Sequence, residues 1–330
     1  IYSQLHPLPP DTINNPNDTV TWVVRGDSIR LSKSHIIYAQ RSVMPSAGLD
    51  PNYIELSNVN VQLRNLYNRA STVTVDVDHI SGKERCGLEI EQANGSIYVD
   101  ENKIDVNKFR LKTFLSEFYV DAHAPFTLLN DKPTGNFVID TDNRIALQEL
   151  GLLHPALKAT LRQIPQYNPL TLKGKVQGTP EHLDIKSFTA TIPKYLDATA
   201  SGVVNHPLDM KRLNGNIAFD AKFPNLNFVK PLALDAATSK QVNFPPMTVK
   251  GEAKFGGNSY SGHLDMRLEG GSLVGKGSFN GNRNQYAVDA DFTNFPVRAI
   301  MPLAPVDHLT AHVKADGHGF DFLKASTAVN

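Results

Sequence analysis

The sequence predicts an all-β protein built from an elongated array of repeated strands, with short helices between the repeats. The first observation behind this prediction is alternation. Residues 247–255 read Met-Thr-Val-Lys-Gly-Glu-Ala-Lys-Phe, with apolar or small residues at the odd positions and polar residues at the even ones. This period of two is typical of a strand with one apolar and one polar face.

The second observation is repetition. The same alternating phrase occurs at 170–177 and begins again at 309–314, and three other phrases return after roughly 70 to 80 residues. Phrases that return in the same order indicate a repeat architecture. We expect an extended leading segment at 1–20, groove repeats at 21–165, 166–240 and 241–305, and the truncated start of a further repeat at 306–330.

Composition narrows the function classes. Lys plus Arg and Asp plus Glu both number 33, so the chain lacks the basic surface that nucleic acid requires. Cys86 is the single cysteine, which excludes an intramolecular disulfide and an all-cysteine zinc site. The sequence contains no run of 18 apolar residues and therefore predicts no membrane-spanning helix. The chain begins at Ile1 rather than Met, and we expect it to be a fragment of a longer protein.

The first half of the chain alternates through short strands. The pattern slips at Ser57-Asn58, which predicts a bulge or turn there, and Ala93-Asn94-Gly95 is a hairpin signal. Predicted strands lie at 21–24, 28–31, 35–39, 53–63, 72–78, 87–92, 96–100, 103–112, 117–126 and 136–140.

The second half begins with a change of period. Leucines at helical spacing predict a helix over 144–161, interrupted at His154-Pro155. The corresponding places in the next repeats, 226–234 and 296–305, each contain Pro-Leu-Ala and predict short helices or turns. Strands are predicted at 170–177, 183–191, 196–204, 215–223, 248–255, 262–268, 272–279 and 285–292.

A one-sided sheet must cover its apolar face, and the sequence offers no amphipathic helices long enough to do so. The sheet can close into a packed sandwich, or it can remain a groove whose apolar floor is covered by lipid chains. Several inward positions are small, among them Ala198, Ala200, Gly251 and Gly275. Small residues leave room in a groove, but they also permit sharp curvature of the sheet.

Three groups of residues suggest other chemistry, and each has a simpler explanation. Residues 270–277 nearly spell a phosphate-binding loop, but Gly277 stands where Ser or Thr is needed and strand residues follow. No cysteine or carboxylate pattern completes a metal site around three clustered histidines. Four aspartates that could form a glycosidase pair lie on the polar strand face. These residues are His308, His312, His318, Asp76, Asp78, Asp121 and Asp140.

Four features of the sequence resemble the AsmA-like superfamily. They are the alternating strands, the Leu-Thr-Leu-Lys-Gly-Lys-Val strand at 170–176, the Phe-Arg-Leu-Lys-Thr segment at 109–113 and the repeats that end in a Pro-Leu helix. The resemblance spans about 21–320 and is nearest to the TamB (translocation and assembly module) family of the Bacteroidota type. It implies a β-taco, an elongated, curled sheet that forms an open groove in the periplasm, anchored in the inner membrane by parts outside this fragment.

The resemblance also implies a function without catalysis or cofactor: phospholipid acyl chains move along the groove between the inner and outer membranes. A BamA/TamA-like outer-membrane protein would bind parts of the protein that this fragment lacks. The residues expected to line the lipid groove are Val73, Val75, Val77, Ile97, Val99, Phe118, Val120, Phe137, Ile139, Leu172, Val176, Ile217, Phe219, Val249, Leu264, Met266, Leu268, Val288 and Phe292.

Two alternatives remain open at this stage. A scaffold for outer-membrane β-barrel assembly would use exposed sheet edges to pair with client strands. A carbohydrate-active β-solenoid would need paired acids at close range in a cleft.

Overall fold

A computed structural model describes residues 23–40, 45–162, 168–230, 236–319 and 326–329. The described part of the chain is all-β and contains seventeen strands. These strands are β1 (Val23–Ala39), β2 (Tyr53–Arg69), β3 (Thr72–Glu84), β4 (Glu89–Val99), β5 (Lys103–Thr113), β6 (Glu117–Pro125), β7 (Phe137–Ile145), β8 (Leu170–Thr179), β9 (His182–Ile192), β10 (Leu196–Asn205), β11 (Asn214–Phe223), β12 (Met247–Gly256), β13 (Ser259–Leu268), β14 (Gly271–Asn280), β15 (Gln285–Pro296), β16 (His308–His318) and β17 (Ser326–Val329).

The strands form one curled, open sheet. Each strand pairs antiparallel with the next along the chain, from β1 to β17, which makes the sheet a simple meander. The sheet does not close into a barrel, and each end strand is paired on one side among the described residues. The predicted fold class is confirmed.

The chain reverses direction at two long margins of the sheet. We call the margin where odd strands lead into even ones the helix rim, because α1 (Leu147–Leu153), α2 (Lys158–Leu161), α3 (Ala236–Gln241) and α4 (Val297–Ile300) all lie there. They follow the seventh, eleventh and fifteenth strands. The opposite margin, the turn rim, carries mostly tight turns.

The predicted breaks in the sequence pattern have mixed outcomes. The slip at Ser57-Asn58 is confirmed, since the register shifts between Ser57 and Asn60. The helix predicted over 144–161 is confirmed from Leu147 onward, as separate pieces that break at His154, where Pro155 begins a 3₁₀ turn. Its predicted start is wrong, because Arg144 and Ile145 belong to β7. Part of the predicted segment 226–234 lies outside the described residues, as does the leading segment.

Two strand predictions are wrong. The separate strands at 21–24, 28–31 and 35–39 are a single strand, β1, whose register shifts near Ser34 hold the chain in one ladder with β2. Thr21 and Trp22 lie outside the described residues.

The Ala93-Asn94-Gly95 hairpin is also wrong, because β4 runs straight through it. Gly95 has a backbone φ of +143°, and the register with β5 shifts between Asn94 and Ser96. A glycine with positive φ fits beside a bulge as readily as in a turn, and here Gly95 lies opposite the bulge at Lys108-Phe109 of β5.

The sheet has little conventional core. Only eleven apolar residues of the described chain are buried, and three of them, Met247, Leu268 and Phe295, form a cluster at the helix rim. The chain exposes 21731 Å², whereas a compact chain of 36.3 kDa exposes about 13,000 Å². The exposed area of the chain still exceeds that of a compact chain after about 160 Å² is subtracted for each residue outside the described ranges. The fold is therefore an open sheet rather than a closed sandwich.

Candidate functional site: the apolar face of the sheet

Cross-strand pairing arranges the apolar side chains in rows that run along the length of the sheet. Antiparallel partners lie on the same face, so an apolar residue opposite another apolar residue extends the row by one strand. One row crosses seven consecutive strands, from β10 to β16, as Ala200, Phe219, Gly251, Leu264, Gly275, Ala290 and Val313. We call the surface made by these rows the apolar face.

All nineteen residues that the sequence assigned to a groove lie on this face. The rows continue through the early strands in pairs such as Val75 of β3 with Ile97 of β4, and Ile139 of β7 with Val176 of β8 joins them to the later strands. Bulges in β3, β4, β5 and β9 add a residue without turning the face over. Alternation alone was sufficient to place these side chains together, although their role is a separate question.

The apolar face is only half-buried along its length. Of the nineteen residues, Val77 and Leu268 are buried, Ile139 and Val288 are 36% and 42% exposed, and the other fifteen are half-buried. Side chains in the core of a sandwich would be nearly inaccessible. The described chain therefore leaves most of the apolar face without a protein cover.

The two margins of the face differ from its middle in β12 to β15. At the helix rim, Phe244, Val297 and Ile300 pack against the buried Met247 cluster. At the turn rim, an aromatic row contains Phe255, Tyr260, Phe279 and Tyr286, and the Tyr260 and Phe279 rings stack at 6.4 Å. Between the margins, the rows are mostly small residues: Gly251, Ala253, Gly262, Gly275, Gly277 and Ala290. The face is thus a shallow trough with bulky margins.

The opposite face is polar and is organised by cross-strand ion pairs. Lys250 Nζ lies 2.7 Å from Asp220 Oδ2, and Lys173 Nζ lies 2.9 Å from Asp142 Oδ2. Pairs of this kind on an exposed sheet face contribute little net stability. Their effect is to keep this face hydrated and to distinguish it from the apolar one.

The aspartates that suggested a glycosidase pair take part in this polar network. Asp76 accepts hydrogen bonds from Ser96 and Asn65, which lower the pKa of its carboxyl group. Asp78 pairs with Arg64, which likewise lowers the pKa of Asp78. A general acid in glycoside hydrolysis needs a raised pKa, so these two carboxylates do not suit that role.

Asp121 and Asp140 lie directly opposite each other on β6 and β7. The imidazole of His123 lies beside Asp121, with Nε2 3.1 Å from Oδ1. All four aspartates are on the polar face, as the alternation predicts.

The histidine group and the loop-like segment are also parts of the sheet. His308, His312 and His318 lie along the polar face of β16, where His312 Nδ1 is 2.8 Å from Asp291 Oδ1. Within the described ranges, no three His, Cys, Asp or Glu side chains are arranged to hold a metal ion. Residues 271–277 belong to β14, so the strand interpretation of the glycine-rich segment is confirmed.

The larger crevices of the surface lie on the polar face. One of about 800 Å³ includes Lys254, Ser261, Ser278 and Asp316 and extends to the aromatic row at the turn rim. Another of about 630 Å³ includes Arg110 and other charged residues of β4 to β8. The apolar face is by contrast a broad open surface. It suits a long flexible ligand better than a compact small molecule.

Sequence reasoning missed a buried polar cluster at the helix rim. Glu149, which is 5% exposed, accepts hydrogen bonds from the Thr113 hydroxyl at 2.6 Å and the Leu115 amide at 3.0 Å. In sequence, Glu149 resembles a polar residue on the outer face of a leucine-rich helix. Its partners are more than 30 residues away, so no local pattern could have found them.

Comparison with known proteins identifies no relative of this chain. No family model, no curated protein and no solved structure matches it. In the part of the chain that the structure describes, no helix is both long and apolar enough to cross a membrane.

Proposed function

We propose that this chain is a segment of a lipid-transfer conduit, in which phospholipid acyl chains lie on the apolar face and move along its rows. One observation carries the proposal: the apolar rows continue from strand to strand and remain only half-buried. Continuous apolar surface beyond a few hundred Å² on a soluble chain marks a site that binds something apolar. No residue acts on the ligand chemically in this role.

The energetics of the face suit an acyl chain. Burying one methylene group is worth about 0.8 kcal/mol, so a chain of many methylenes is retained without a specific headgroup pocket. Seventeen strands spaced about 4.8 Å apart span about 80 Å. The absence of a single enclosed site lets a lipid move along the rows in small steps of similar energy.

The cellular setting is part of the proposal. We place the chain in the periplasm, within an AsmA-like protein of the TamB type that conducts lipid between the inner and outer membranes. The membrane anchor and the segment that contacts a BamA/TamA-like partner would lie in other parts of the protein. The repeat all-β sheet supports this assignment, which otherwise rests on the sequence resemblance.

Native mass spectrometry of the purified chain, combined with lipid extraction, tests the proposal. We expect several phospholipids to be bound to each chain, because the apolar face has room for more than one acyl chain. A stably folded monomer that carries no lipid would overturn the conduit proposal.

A second candidate is a scaffold for β-barrel assembly, and the end strand β1 favours it. This strand of 17 residues is paired on one side in the described chain, and large apolar residues such as Ile37 and Tyr38 are exposed on it. An exposed apolar edge can pair with a client strand. Slower hydrogen exchange of the β1 amides with an outer-membrane hairpin peptide, in a lipid-free chain, would favour the scaffold.

A further inference from the structure

Four large apolar side chains are exposed together at one corner of the helix rim. They are Leu49 in the β1–β2 connection, Phe114 and Leu115 in the β5–β6 turn, and Leu157 between β7 and β8, with exposed fractions of 41%, 66%, 42% and 43%. We call this group the apolar corner. The Leu49 amide donates a hydrogen bond to the Leu153 carbonyl at 3.0 Å, which joins the β1–β2 connection to the β7–β8 connection.

A buried carboxylate fixes the β5–β6 turn in place. Besides accepting from Thr113 and Leu115, Glu149 accepts a hydrogen bond from the Ser116 hydroxyl. The Ser116 hydroxyl oxygen in turn accepts from the Ala146 amide at 2.9 Å. Burial of a carboxylate is unfavourable unless it is fully hydrogen-bonded. A buried polar network therefore fixes the β5–β6 turn, although the tip of this turn exposes Phe114 and Leu115 to water.

The charges around the corner are unevenly exposed. Its acids Asp50, Glu84 and Glu149 are buried, the half-buried Glu91 pairs with Lys112 at 2.7 Å, and the exposed Glu89 lies opposite Lys83 in the sheet. Arg85 holds the loop before Leu49 through the Ser46 carbonyl at 2.8 Å while its side chain stays exposed. The exposed Glu117 lies opposite two cations. The exposed cations around the corner are Lys83, Arg85, Lys112, Arg144, Lys158 and Arg162.

We propose that the apolar corner docks on an anionic phospholipid bilayer, with Phe114 and Leu115 inserted among the acyl chains and the surrounding cations at the headgroups. Exposed aromatic and leucine side chains beside Lys and Arg are the combination that binds anionic membrane surfaces. The side chains stand on the tips of separate connections and need no complementary pocket, which suits a fluid bilayer. This docking goes beyond the conduit proposal and does not depend on it.

Vesicle co-sedimentation of the purified chain tests the docking. The matched variants are Phe114→Ser with Leu115→Ser at the corner, and Leu208→Ser with Met210→Ser on the turn rim, where both side chains are 80% exposed. With phosphatidylcholine vesicles containing phosphatidylglycerol, we expect the wild type and the turn-rim variant to bind equally. The corner variant should bind at least tenfold more weakly. Vesicles of phosphatidylcholine alone should bind the wild type less well.

A tryptophan probe distinguishes insertion of the apolar corner into the bilayer from non-specific adsorption to vesicles. The emission of Phe114→Trp should shift to shorter wavelength with the anionic vesicles, whereas that of Leu208→Trp should not. The proposal is overturned if the wild type binds neither kind of vesicle, and a protein partner would then be the remaining candidate for the apolar corner. It is also overturned if both double variants lose vesicle binding equally. Equal circular dichroism spectra of the variants confirm that the fold is intact. The lipid content of the chain is measured separately, so failure of docking does not decide the conduit proposal.

Discussion

At the scale of single residues, His123 is held between two carboxylates on the polar face. Its Nδ1 lies 2.9 Å from Asp105 Oδ1 and its Nε2 lies 3.1 Å from Asp121 Oδ1. The hydrogen bond with Asp105, together with the charges of both aspartates, raises the pKa of His123 above its ordinary value of 6.5. A raised pKa means that the folded state favours the protonated imidazole.

The stability of the protein should therefore depend on pH through His123. The stabilisation is fully present below the unfolded pKa of about 6.5 and is lost as the pH rises through the higher folded value. We expect His123→Gln to lower the melting temperature at pH 5.5 and to have almost no effect at pH 9. His182→Gln is the control, since His182 contacts the neutral Asn205 amide at 2.7 Å. An effect of His123→Gln that is equal at both pH values would contradict the prediction.

Residue-level prediction from the sequence succeeded where the signal is local. Alternation placed Val176 and Phe219 on the apolar face because a strand has a fixed period. It could not find Glu149 or the exposed tip at Phe114, since these depend on contacts between connections that are far apart in the chain.

At the scale of the elements, β4 shows the limit of turn signals. Asn-Gly is a strong hairpin signal, yet the pairs Ala93 with Leu111 and Ser96 with Asn107 continue the ladder on both sides of Gly95. The neighbouring strand β5 determines the geometry here, because its backbone leaves no space for a side chain: a Cβ at Gly95 would lie 2.7 Å from the Cα of Phe109. Information of this kind is not present in the three residues themselves.

We expect Gly95→Ala to lower the free energy of unfolding by about 1–3 kcal/mol, because an L residue is strained at this φ and its Cβ displaces Phe109. Gly277→Ala on β14 should change it by less than about 0.5 kcal/mol, since its nearest neighbour would be 3.6 Å away. Urea denaturation of both variants provides the measurement. Equal midpoints for the two would mean that the bulge is not required.

At the scale of the whole molecule, repetition and alternation together were sufficient to predict an all-β repeat array, but they did not decide between a closed sandwich and an open groove, and only the family resemblance favoured the open form. The repeated phrase at 170–177 and 247–255 begins a group of four strands in each case, β8 to β11 and β12 to β15. The seven strands before α1 were harder to anticipate, because bulges interrupt their alternation. The predicted repeat boundaries follow the helical segments but remain predictions.

The proposed function supplies a whole-molecule prediction, because a lipid conduit would fail wherever the apolar face that forms its floor is interrupted. A carboxylate at Phe219, which lies between Ala200 and Gly251 on the apolar face, must stay hydrated and therefore repels acyl chains. We expect Phe219→Asp to carry fewer lipids per chain in native mass spectrometry and to fail in supporting envelope integrity in cells. Because Phe219 is only half-buried, the variant should stay folded. An Arg at Val176 should act in the same way.

The adjacent Ala218 provides the matched control. It lies on the same strand but on the polar face, opposite Ser201 and Glu252, so Ala218→Asp adds the same charge without touching the acyl path. This variant should retain the wild-type lipid content and function. If Phe219→Asp is folded and carries as much lipid as Ala218→Asp, the apolar rows do not hold the lipid. The exposed edge of β1 would then become the first surface to test.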